Sequence, residues 1–336
     1  MQHRVLGRTG LEVSVIGFGG IPIQRITEQE AVTLVNGALD RGINFFDTAR
    51  GYTDSEAKLG LVLKQRRQEA IIATKSMARS KEGMAADIQK SLTALGVDYI
   101  DLYQCHNVKD RESLAQIVSP NGALVALKEA QSKGIIGHIG ITGHIQELLV
   151  EALKTGEFAT VQFPFNAVET EAKELLDLAH QTNTAIIVMK PLAGGALRNA
   201  RLALGYLLEQ PVTTIIPGMD SLQQIEENAL LGNEWTPLKE EEWVVLKEET
   251  EKLGQAFCRR CEYCKPCPQG IDIPTVFLLE GYYSRYDLKD WAKERYKDLE
   301  AKADACIACG QCEEKCPYSL PIRQMLSDSA GILADG

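Results

Sequence analysis

The stretch from residue 99 to residue 143 has the sequence YIDLYQCHNVKDRESLAQIVSPNGALVALKEAQSKGIIGHIGITG. It holds two runs rich in β-branched and aromatic residues, Tyr99–His106 and Ile136–Gly143, and an amphipathic segment, Gly122–Lys133, between them. A strand, a crossover helix and a second strand in this order predict two parallel strands of one sheet.

The same alternation continues on both sides of this stretch. Six more strands are predicted, at Val13–Gly19, Asn44–Ala49, Ile71–Ser76, Thr160–Asn166, Thr184–Lys190 and Thr213–Gly218. Four more helices are predicted, at Thr27–Arg41, Gly83–Leu95, Glu169–Gln181 and Ser221–Leu231. Thr27 and Glu30 have the spacing of a capping box.

Eight β/α alternations are compatible with a closed (β/α)8 barrel and with an open doubly wound sheet. The count of eight favours the α/β barrel, and no GxGxxG sequence follows the first strand. The preceding segment, Arg4–Leu11, has glycines at two positions and is predicted to form a short hairpin at the base of the barrel.

Length and charge limit the classes of function. The 336 residues suit a barrel of ~250 residues with an appendage. A net charge of -10 argues against nonspecific binding to nucleic acid or to an acidic membrane surface. The start of the chain leads into no apolar run, and no apolar stretch reaches ~18 residues, so we expect no secretory signal, no membrane span and a cytoplasmic location.

The cysteines are unevenly distributed along the chain. Cys105 stands alone, whereas the other eight form two runs, Cys258-x2-Cys261-x2-Cys264-x2-Cys267-Pro268 and Cys306-x2-Cys309-x2-Cys312-x3-Cys316-Pro317. They divide the chain near residue 250 into a cysteine-poor body, 1–250, and a cysteine-rich domain, 251–336.

These runs predict two [4Fe-4S] clusters, because in two-cluster ferredoxins the cysteine before proline binds the other run's cluster. Zinc bound by paired CxxC units, and disulfides, are less favoured alternatives. The first run is one residue short before its fourth cysteine, so the crossed assignment is less secure there. The crossed assignment gives one set of Cys258, Cys261, Cys264 and Cys316, and a second set of Cys306, Cys309, Cys312 and Cys267.

Polar side chains stand at successive strand ends of the predicted barrel, where functional residues of this fold lie. Asp47 ends the second strand, Tyr52 follows in the loop, Lys75 ends the third strand and His106 the fourth. Together they can act on one substrate atom: hydride addition to a carbonyl leaves an alkoxide that must be protonated.

Three segments containing these residues resemble the motifs of the aldo-keto reductases. They are NFFDTARGY (44–52), IATK (72–75) and DLYQCH (101–106), and GRTGLEVSVIGFGG (7–20) is similar to the opening segment of that family. The resemblance covers about residues 4–231, and the cysteine-rich domain is similar to the bacterial-type ferredoxin domain that a subset of the family carries.

The resemblance implies a (β/α)8 TIM barrel with a small C-terminal α-helical ferredoxin-like iron-sulfur domain. It implies NAD(P)H-dependent reduction of a small aldehyde or ketone. In that reaction Tyr52 is the general acid, Lys75 lowers the pKa of Tyr52, Asp47 pairs with Lys75, and His106 orients the carbonyl oxygen.

The resemblance also implies cofactor contacts. Thr142 and Gln162 match residues that hold the nicotinamide amide, and Met189 takes the place of the usual stacking aromatic residue. Glu227 and Asn228 match adenine contacts. The Lys and Arg that many members direct at the 2′-phosphate are replaced by Gly218 and Gln224, which leaves both NADP(H) and NAD(H) open.

Three hypotheses relate the two domains. The favoured one is a carbonyl reductase whose clusters are structural or sensory. In the second, the clusters exchange electrons with the barrel or with a ferredoxin-like carrier. Hydride carries two electrons and a cluster accepts one, so a flavin would be needed as a bridge, but the sequence has no recognisable flavin motif. In the third, the barrel is only a retained scaffold, and the cysteine-rich domain is a binding module that docks a redox partner. Arg259, Arg260 and Lys265 are expected to be solvated, with a docking patch for an acidic carrier as the alternative.

Overall fold

The computed structural model describes residues 1–253, 257–260, 263–284 and 289–334. The chain forms two compact units, Met1–Glu248 and Glu249–Gly336. In the described residues, no helix is both long and apolar enough to cross a membrane.

The first unit begins with a hairpin and continues as a barrel. The hairpin strands are β1 (His3–Val5) and β2 (Glu12–Ser14). Within residues 1–253, the eight parallel strands of one sheet follow in chain order: β3 (Phe18–Gly19), β4 (Phe45–Asp47), β5 (Ile71–Ser76), β6 (Ile100–Val108), β7 (Ile136–Gly143), β8 (Thr160–Pro164), β9 (Ala185–Met189) and β10 (Thr214–Ile215).

Parallel bridges join the first barrel strand to the last. Ile16 pairs with Ile215, and Gly19 pairs with Gly218. At Gly19 a Cβ atom would lie 2.8 Å from the carbonyl oxygen of Ile216, so glycine is required for this approach. The bridges close the sheet, which confirms the predicted (β/α)8 barrel.

Helices follow the strands and cover the outside of the barrel. They are α1 (Glu28–Asp40), α2 (Ser55–Leu63), α3 (Lys81–Leu95), α4 (Arg111–Val118), α5 (Ala123–Ser132), α6 (Gln146–Leu153), α7 (Lys173–Gln181), α8 (Ala200–Leu208), α9 (Leu222–Glu234) and α10 (Glu240–Leu253). The predicted capping box is confirmed: Thr27 Oγ1 accepts from the Glu30 amide, and the Glu30 carboxylate accepts from the Thr27 amide over 2.8 Å. The single strand predicted at Val13–Gly19 is wrong, because the hairpin strand ends at Ser14 and the barrel strand begins at Phe18.

The predicted hairpin closes the base of the barrel. Leu6, at its turn, is fully buried and packs in one cluster with Phe45, Ala73 and Leu102 of the barrel strands. Burial of one such side chain stabilises a fold by roughly 1.5–3 kcal/mol. The base is therefore filled by side chains, and the opposite, carboxyl-terminal end of the strands is left for function.

The second unit is helical. Its described helices are α11 (Ile273–Ser284), α12 (Lys289–Lys297), α13 (Gln311–Glu314) and α14 (Ile322–Leu333). Val276 and Phe277 of α11 pack with Leu326 of α14 in a core that also contains Tyr296. The Tyr296 hydroxyl accepts a hydrogen bond from the buried Ala303 amide over 2.9 Å. This core brings the two cysteine runs together.

Candidate active site and cysteine cavities

The loop after β4 holds Tyr52 by hydrogen bonds at both of its ends. The hydroxyls of Thr48 and Ser55 lie 2.8 Å apart, and Ser55 Oγ donates to the carbonyl of Gly20 over 2.8 Å. Thr53 has a left-handed backbone, with φ 34°. The sharp turn and its buried anchors therefore position Tyr52 over the end of the barrel.

A partly buried ion pair lies next to the same loop. Glu56 is 2% exposed and pairs with Arg50, while its second oxygen accepts from Thr74 Oγ1 over 2.7 Å. This ion pair is not among the residues predicted from the sequence. A glutamate and a lysine, Glu56 and Lys58, within the largely apolar segment 55–63 were the available signal.

Lys75 joins the predicted residues into one group. Its ammonium donates to Asp47 Oδ2 over 2.7 Å and to the carbonyl of Thr48 over 2.8 Å, and the Lys75 and Asp47 side chains are both buried. The same nitrogen lies 4.9 Å from the centre of the Tyr52 ring. The rings of Tyr52 and His106 meet edge to face, with centroids 5.7 Å apart. The structure thus brings all four residues together.

Burial and charge oppose each other in this group. Burial raises the pKa of the Tyr52 phenol above its ordinary value, and the Lys75 ammonium acts in the lowering direction. Burial also raises the pKa of Asp47, again against the effect of Lys75. For Lys75, burial acts to lower the pKa, but Asp47 and Tyr52 raise it above its usual value. Lys75 is therefore a cation at neutral pH, next to a protonated phenol.

His106 is neutral in this environment. Burial, together with the Lys75 and Arg79 cations, lowers the pKa of His106 to about 3. Its Nδ1 atom is buried and has no hydrogen-bond partner. A neutral imidazole has one N–H donor, so His106 can donate to a substrate oxygen without carrying charge.

Gln104 is a buried polar residue of the site that the sequence analysis missed. Its Nε2 atom donates to Gln162 Oε1 over 3.0 Å and lies 3.4 Å from Asp47 Oδ1. Its own Oε1 atom is buried without a hydrogen-bond partner. The alternation of a strand was the available signal, because Gln104 stands two positions before His106 on the same face.

Two of the three residues predicted at the nicotinamide are adjacent. Gln162 Nε2 donates to Met189 Sδ at 3.9 Å, and sulfur is a weak acceptor, so this amide can take a stronger partner. Thr142 Oγ1 accepts from the Asn107 amide over 2.9 Å and is buried. All three side chains lie on neighbouring strands, β7, β8 and β9.

The residues predicted at the adenosine end lie around the start of α9. Gly218 faces Gly19 at the closure of the barrel. Gln224 Oε1 accepts from the Asp220 amide over 2.8 Å, so this side chain caps its own loop. Glu227 is exposed and accepts from Gln223, whereas Asn228 is buried.

The cysteines of the second unit line two cavities. Cys258, Cys264 and Cys316 line one, of about 330 Å³, which we call the Cys258 cavity. The other, of about 360 Å³, is called the Cys306 cavity and is lined by Cys264, Cys267, Cys306, Cys309 and Cys312. Cys261 lies outside the described residues.

The two cysteine runs have matching backbone geometry. Two residues after the first cysteine of each run, Arg260 and Ala308 have left-handed φ angles of 52° and 55°. Each donates its amide to the sulfur of that cysteine, Cys258 or Cys306, over 3.4 Å. Amide donors of this kind stabilise thiolate, which is the form that binds metal.

The match continues after the fourth cysteine of each run. Gly270 and Ser319 have φ angles of 73° and 49° and donate to the carbonyls of Cys267 and Cys316. A 12-residue helix then begins in both halves, α11 in the first and α14 in the second. The two runs are therefore structural repeats and not only sequence repeats.

The donor set fits iron-sulfur clusters. Within the part of the chain that the structure describes, no three His, Cys, Asp or Glu side chains converge on a single metal ion. A [4Fe-4S] cluster does not need such convergence, because its four cysteines bind four different irons.

Arg259 corrects one expectation. It was expected to be solvated, but it is 4% exposed, and its guanidinium lies over the rings of Phe257 and Tyr318. Lys265 is exposed and pairs with Asp272 over 3.3 Å. The basic residues among the cysteines therefore do not form one solvated patch.

Family models match both units. The model of the aldo/keto reductase family matches residues 15–201, and that of the 4Fe-4S dicluster domain matches residues 257–321. L-galactose dehydrogenase of Arabidopsis thaliana is 31% identical over 281 residues, which are 68% of this chain and 87% of that protein. The uncharacterized oxidoreductase YqkF of Bacillus subtilis (strain 168) is 26% identical over 306 residues, 75% of this chain and 97% of that protein.

A solved structure agrees with these matches. The holo form of aldo-keto reductase AKR11C1 from Bacillus halodurans superposes with a TM-score of 0.65 and 26% identity, over 76% of this chain and 96% of that chain. The matches and the closed barrel lead to one conclusion. The chain is an oxidoreductase that belongs to the aldo/keto reductase family and carries a C-terminal 4Fe-4S dicluster domain.

Proposed function

We propose that the barrel reduces an aldehyde or ketone to an alcohol with NADH or NADPH, and that Tyr52 is the general acid. The observation that carries this proposal is the placement of Lys75. Its ammonium binds Asp47 at 2.7 Å and lies 4.9 Å from the centre of the Tyr52 ring, which meets the His106 ring edge to face.

Each of the four residues has a distinct task in this proposal. Tyr52 donates its proton to the oxygen that becomes the hydroxyl, and the Lys75 cation stabilises the phenolate that is left. Asp47 keeps Lys75 charged and fixed in place. Neutral His106 donates a hydrogen bond to the carbonyl oxygen and orients it toward Tyr52.

The chain's own residues support a place for the cofactor. When bound, the nicotinamide supplies hydride to the carbonyl carbon. Gln162 and Thr142 would hold its amide group, and Met189 would pack on its ring. Gly218, Gln224, Glu227 and Asn228 would hold the adenosine end.

Substitution Tyr52→Phe tests the proposal. It keeps the ring and removes the proton donor, so we expect carbonyl reduction to fall by about 10²–10⁴-fold. The control is Tyr99→Phe, since Tyr99 is a partly exposed tyrosine that pairs with Arg67. Reduction of small aldehydes at an unchanged rate in the Tyr52→Phe variant would contradict the proposed role.

For the second unit we propose two [4Fe-4S] clusters with crossed ligands. One cluster would be held by Cys258, Cys261, Cys264 and Cys316, and the other by Cys306, Cys309, Cys312 and Cys267. The lining of the two cavities supports this division, because Cys316 lines only the Cys258 cavity and Cys267 only the Cys306 cavity. The chain divides into two compact units between Glu248 and Glu249, which supports a division into a reductase barrel, 1–250, and a ferredoxin-like domain, 251–336.

Metal analysis of anaerobically purified protein tests the cluster proposal. We expect about eight irons and eight acid-labile sulfides per chain, from four of each in both clusters. Zinc in place of iron would contradict the proposal.

A second candidate function is electron transfer through the clusters. The observation in its favour is that Cys264 and Ile273 line both cavities, so that two clusters would lie side by side. Anaerobic titration with NADH, and separately with NADPH, distinguishes the candidates by cluster absorbance and EPR. Reduction of the clusters by a nucleotide would favour electron transfer between the barrel and the clusters, and it would require a search for bound flavin. Unreduced clusters with intact aldehyde reduction would favour structural or sensory clusters, or clusters that answer to another donor.

A further inference from the structure

The two cysteine runs place different side chains at equivalent positions. The residue after the first cysteine is Arg259 in the first run and Ile307 in the second. Their surroundings differ as well: Arg259 is 4% exposed and Ile307 is 61% exposed. Because the backbones of the two runs match, the difference in exposure at these two positions comes from the side chains and their packing.

Arg259 is held against the Cys258 cavity. Its guanidinium lies 4.2 Å from the centre of the Phe257 ring and 4.4 Å from that of Tyr318, and it donates to the carbonyl of Phe257 over 3.0 Å. Tyr318 follows Cys316 by two positions, and Arg259 follows Cys258 directly. Aromatic faces favour a guanidinium in this position, so the cation is fixed at the wall of a cavity that Cys258 and Cys316 also line.

Arg259 is also the one charged residue among the described residues that line the Cys258 cavity. The remaining described lining is apolar, aromatic or cysteine. A charge in surroundings of low polarity acts more strongly on its neighbours than the same charge in water.

The Cys306 cavity has a different electrostatic environment. Arg323 lines it, but this side chain is 49% exposed and pairs with Glu313 over 2.8 Å. Its charge is therefore screened by solvent. At the position equivalent to Tyr318 the second cavity has Gln269, which is exposed and provides no aromatic face.

We propose that Arg259 holds the reduction potential of the cluster in the Cys258 cavity above that of the cluster in the Cys306 cavity. This inference rests on the proposed pair of clusters. One-electron reduction makes a cluster and its thiolates more negative, so a buried cation stabilises the reduced form. Transfer of one electron from the Cys306 side to the Cys258 side oxidises one cluster, reduces the other and needs no proton. An electron shared by the two clusters then resides mainly on the cluster in the Cys258 cavity.

An EPR-monitored redox titration of the full chain, purified anaerobically and reduced with dithionite, tests this proposal. The wild type should show two one-electron waves. In Arg259→Gln the ratio of oxidised to reduced cluster in the upper wave should rise about tenfold at a given potential. For one electron this corresponds to a midpoint potential lower by about 59 mV. The lower wave should move less. Arg259→Lys keeps the charge and should restore most of the difference.

A matched variant installs the charge in the other run. Ile307→Arg should raise the lower wave, by less than Arg259→Gln lowers the upper one, because position 307 is 61% exposed. If Arg259→Gln loses iron, Arg259→Lys and Ile307→Arg decide the question alone. A single wave in wild type with eight irons, or a lower wave unmoved in Ile307→Arg, would overturn the proposal. Fewer than eight irons in the wild type would instead contradict the proposed pair of clusters.

Discussion

The side-chain amide of Gln104 donates a hydrogen bond to the side-chain oxygen of Gln162 over 3.0 Å inside the barrel. The donor atom also lies 3.4 Å from Asp47. One amide thus contacts both the residue that binds Lys75 and the residue proposed for the nicotinamide amide. Because the oxygen of Gln162 is occupied, its NH2 group points toward Met189 and is available to a ligand carbonyl.

We therefore predict that Gln104→Leu weakens cofactor binding more than it slows chemistry. Loss of one buried hydrogen bond of about 1–1.5 kcal/mol corresponds to a KM for the nucleotide raised about tenfold. Steady-state kinetics at varied NADH and NADPH measures the change, and Gln89→Leu on the exposed face of α3 is the control. A tenfold fall in kcat with unchanged KM would mean that Gln104 acts through Asp47 and Lys75 and not through the cofactor.

The second prediction concerns the pH dependence of carbonyl reduction. In the proposed mechanism, reduction needs protonated Tyr52, so we expect the rate to fall as the pH rises through the pKa of that phenol, which burial holds above its usual value. With the pKa of His106 at about 3, no limb from this residue is expected near neutrality. The rate should therefore be flat between about pH 6 and pH 9.

Lys75→Met should move the alkaline limb to still higher pH. The Lys75 cation acts to lower the pKa of Tyr52, so its loss makes the phenol a weaker acid. The double variant Asp47→Asn, Lys75→Met avoids an unpaired buried carboxylate and should show the same direction. A limb that moves to lower pH in either protein would show that another group titrates.

Glu56→Gln tests the ion pair next to the Tyr52 loop. Glu56 is buried and Arg50 is 27% exposed, so we expect a loss of about 2–3 kcal/mol, below the ~3–5 kcal/mol for a fully buried pair. Urea unfolding followed by tryptophan fluorescence measures this free energy of unfolding. Glu82→Gln, on the exposed first turn of α3, should change it by less than ~0.5 kcal/mol.

The helices show why the sequence could not predict every element. α1 and α5 have an apolar stripe and were predicted, whereas α2 was not. In α2 the polar residues Glu56 and Lys58 are buried together with Leu59 and Leu63, so no amphipathic pattern remains. Lys58 pairs with Asp54, and it also donates to the carbonyls of Ile23 and Ile26, which are distant in the sequence.

In the candidate site, too, some features could be predicted from the sequence and others depend on tertiary packing. Asp47, Tyr52, Lys75 and His106 follow from strand ends and family motifs, and the structure brings them together. The burial of Arg259 could not be predicted, because it depends on a stack with Tyr318 from the other cysteine run. A charge next to cysteines in the sequence is ordinarily solvated, and only tertiary packing makes it otherwise.

Gln224→Arg should shift coenzyme preference toward NADPH. Gln224 caps its own loop through the Asp220 amide, and no cation occupies this position. A guanidinium gains charge-assisted hydrogen bonds to a 2′-phosphate, so the ratio of kcat/KM for NADPH over NADH should rise about tenfold. Gln223→Arg, on the neighbouring exposed position, is the control for added charge alone. A similar shift in both variants would contradict a specific contact from position 224.

The crossed cluster ligands can be tested by comparing cysteine variants in pairs. Cys267 lines the Cys306 cavity although it belongs to the first run, and Cys316 lines the Cys258 cavity although it belongs to the second. Cys267→Ser should therefore leave the same cluster intact as Cys309→Ser. Cys316→Ser should leave the same cluster intact as Cys258→Ser.

EPR spectra of the reduced variants, together with iron content, show which cluster remains in each. Cys105→Ser is the control, because Cys105 is buried in the barrel core and burial raises its pKa to about 12. A Cys267→Ser spectrum that matches Cys258→Ser would mean that each run binds its own cluster. In that case the shorter spacing before Cys267 would have changed the ligand exchange that the repeated backbone of the two runs otherwise favours.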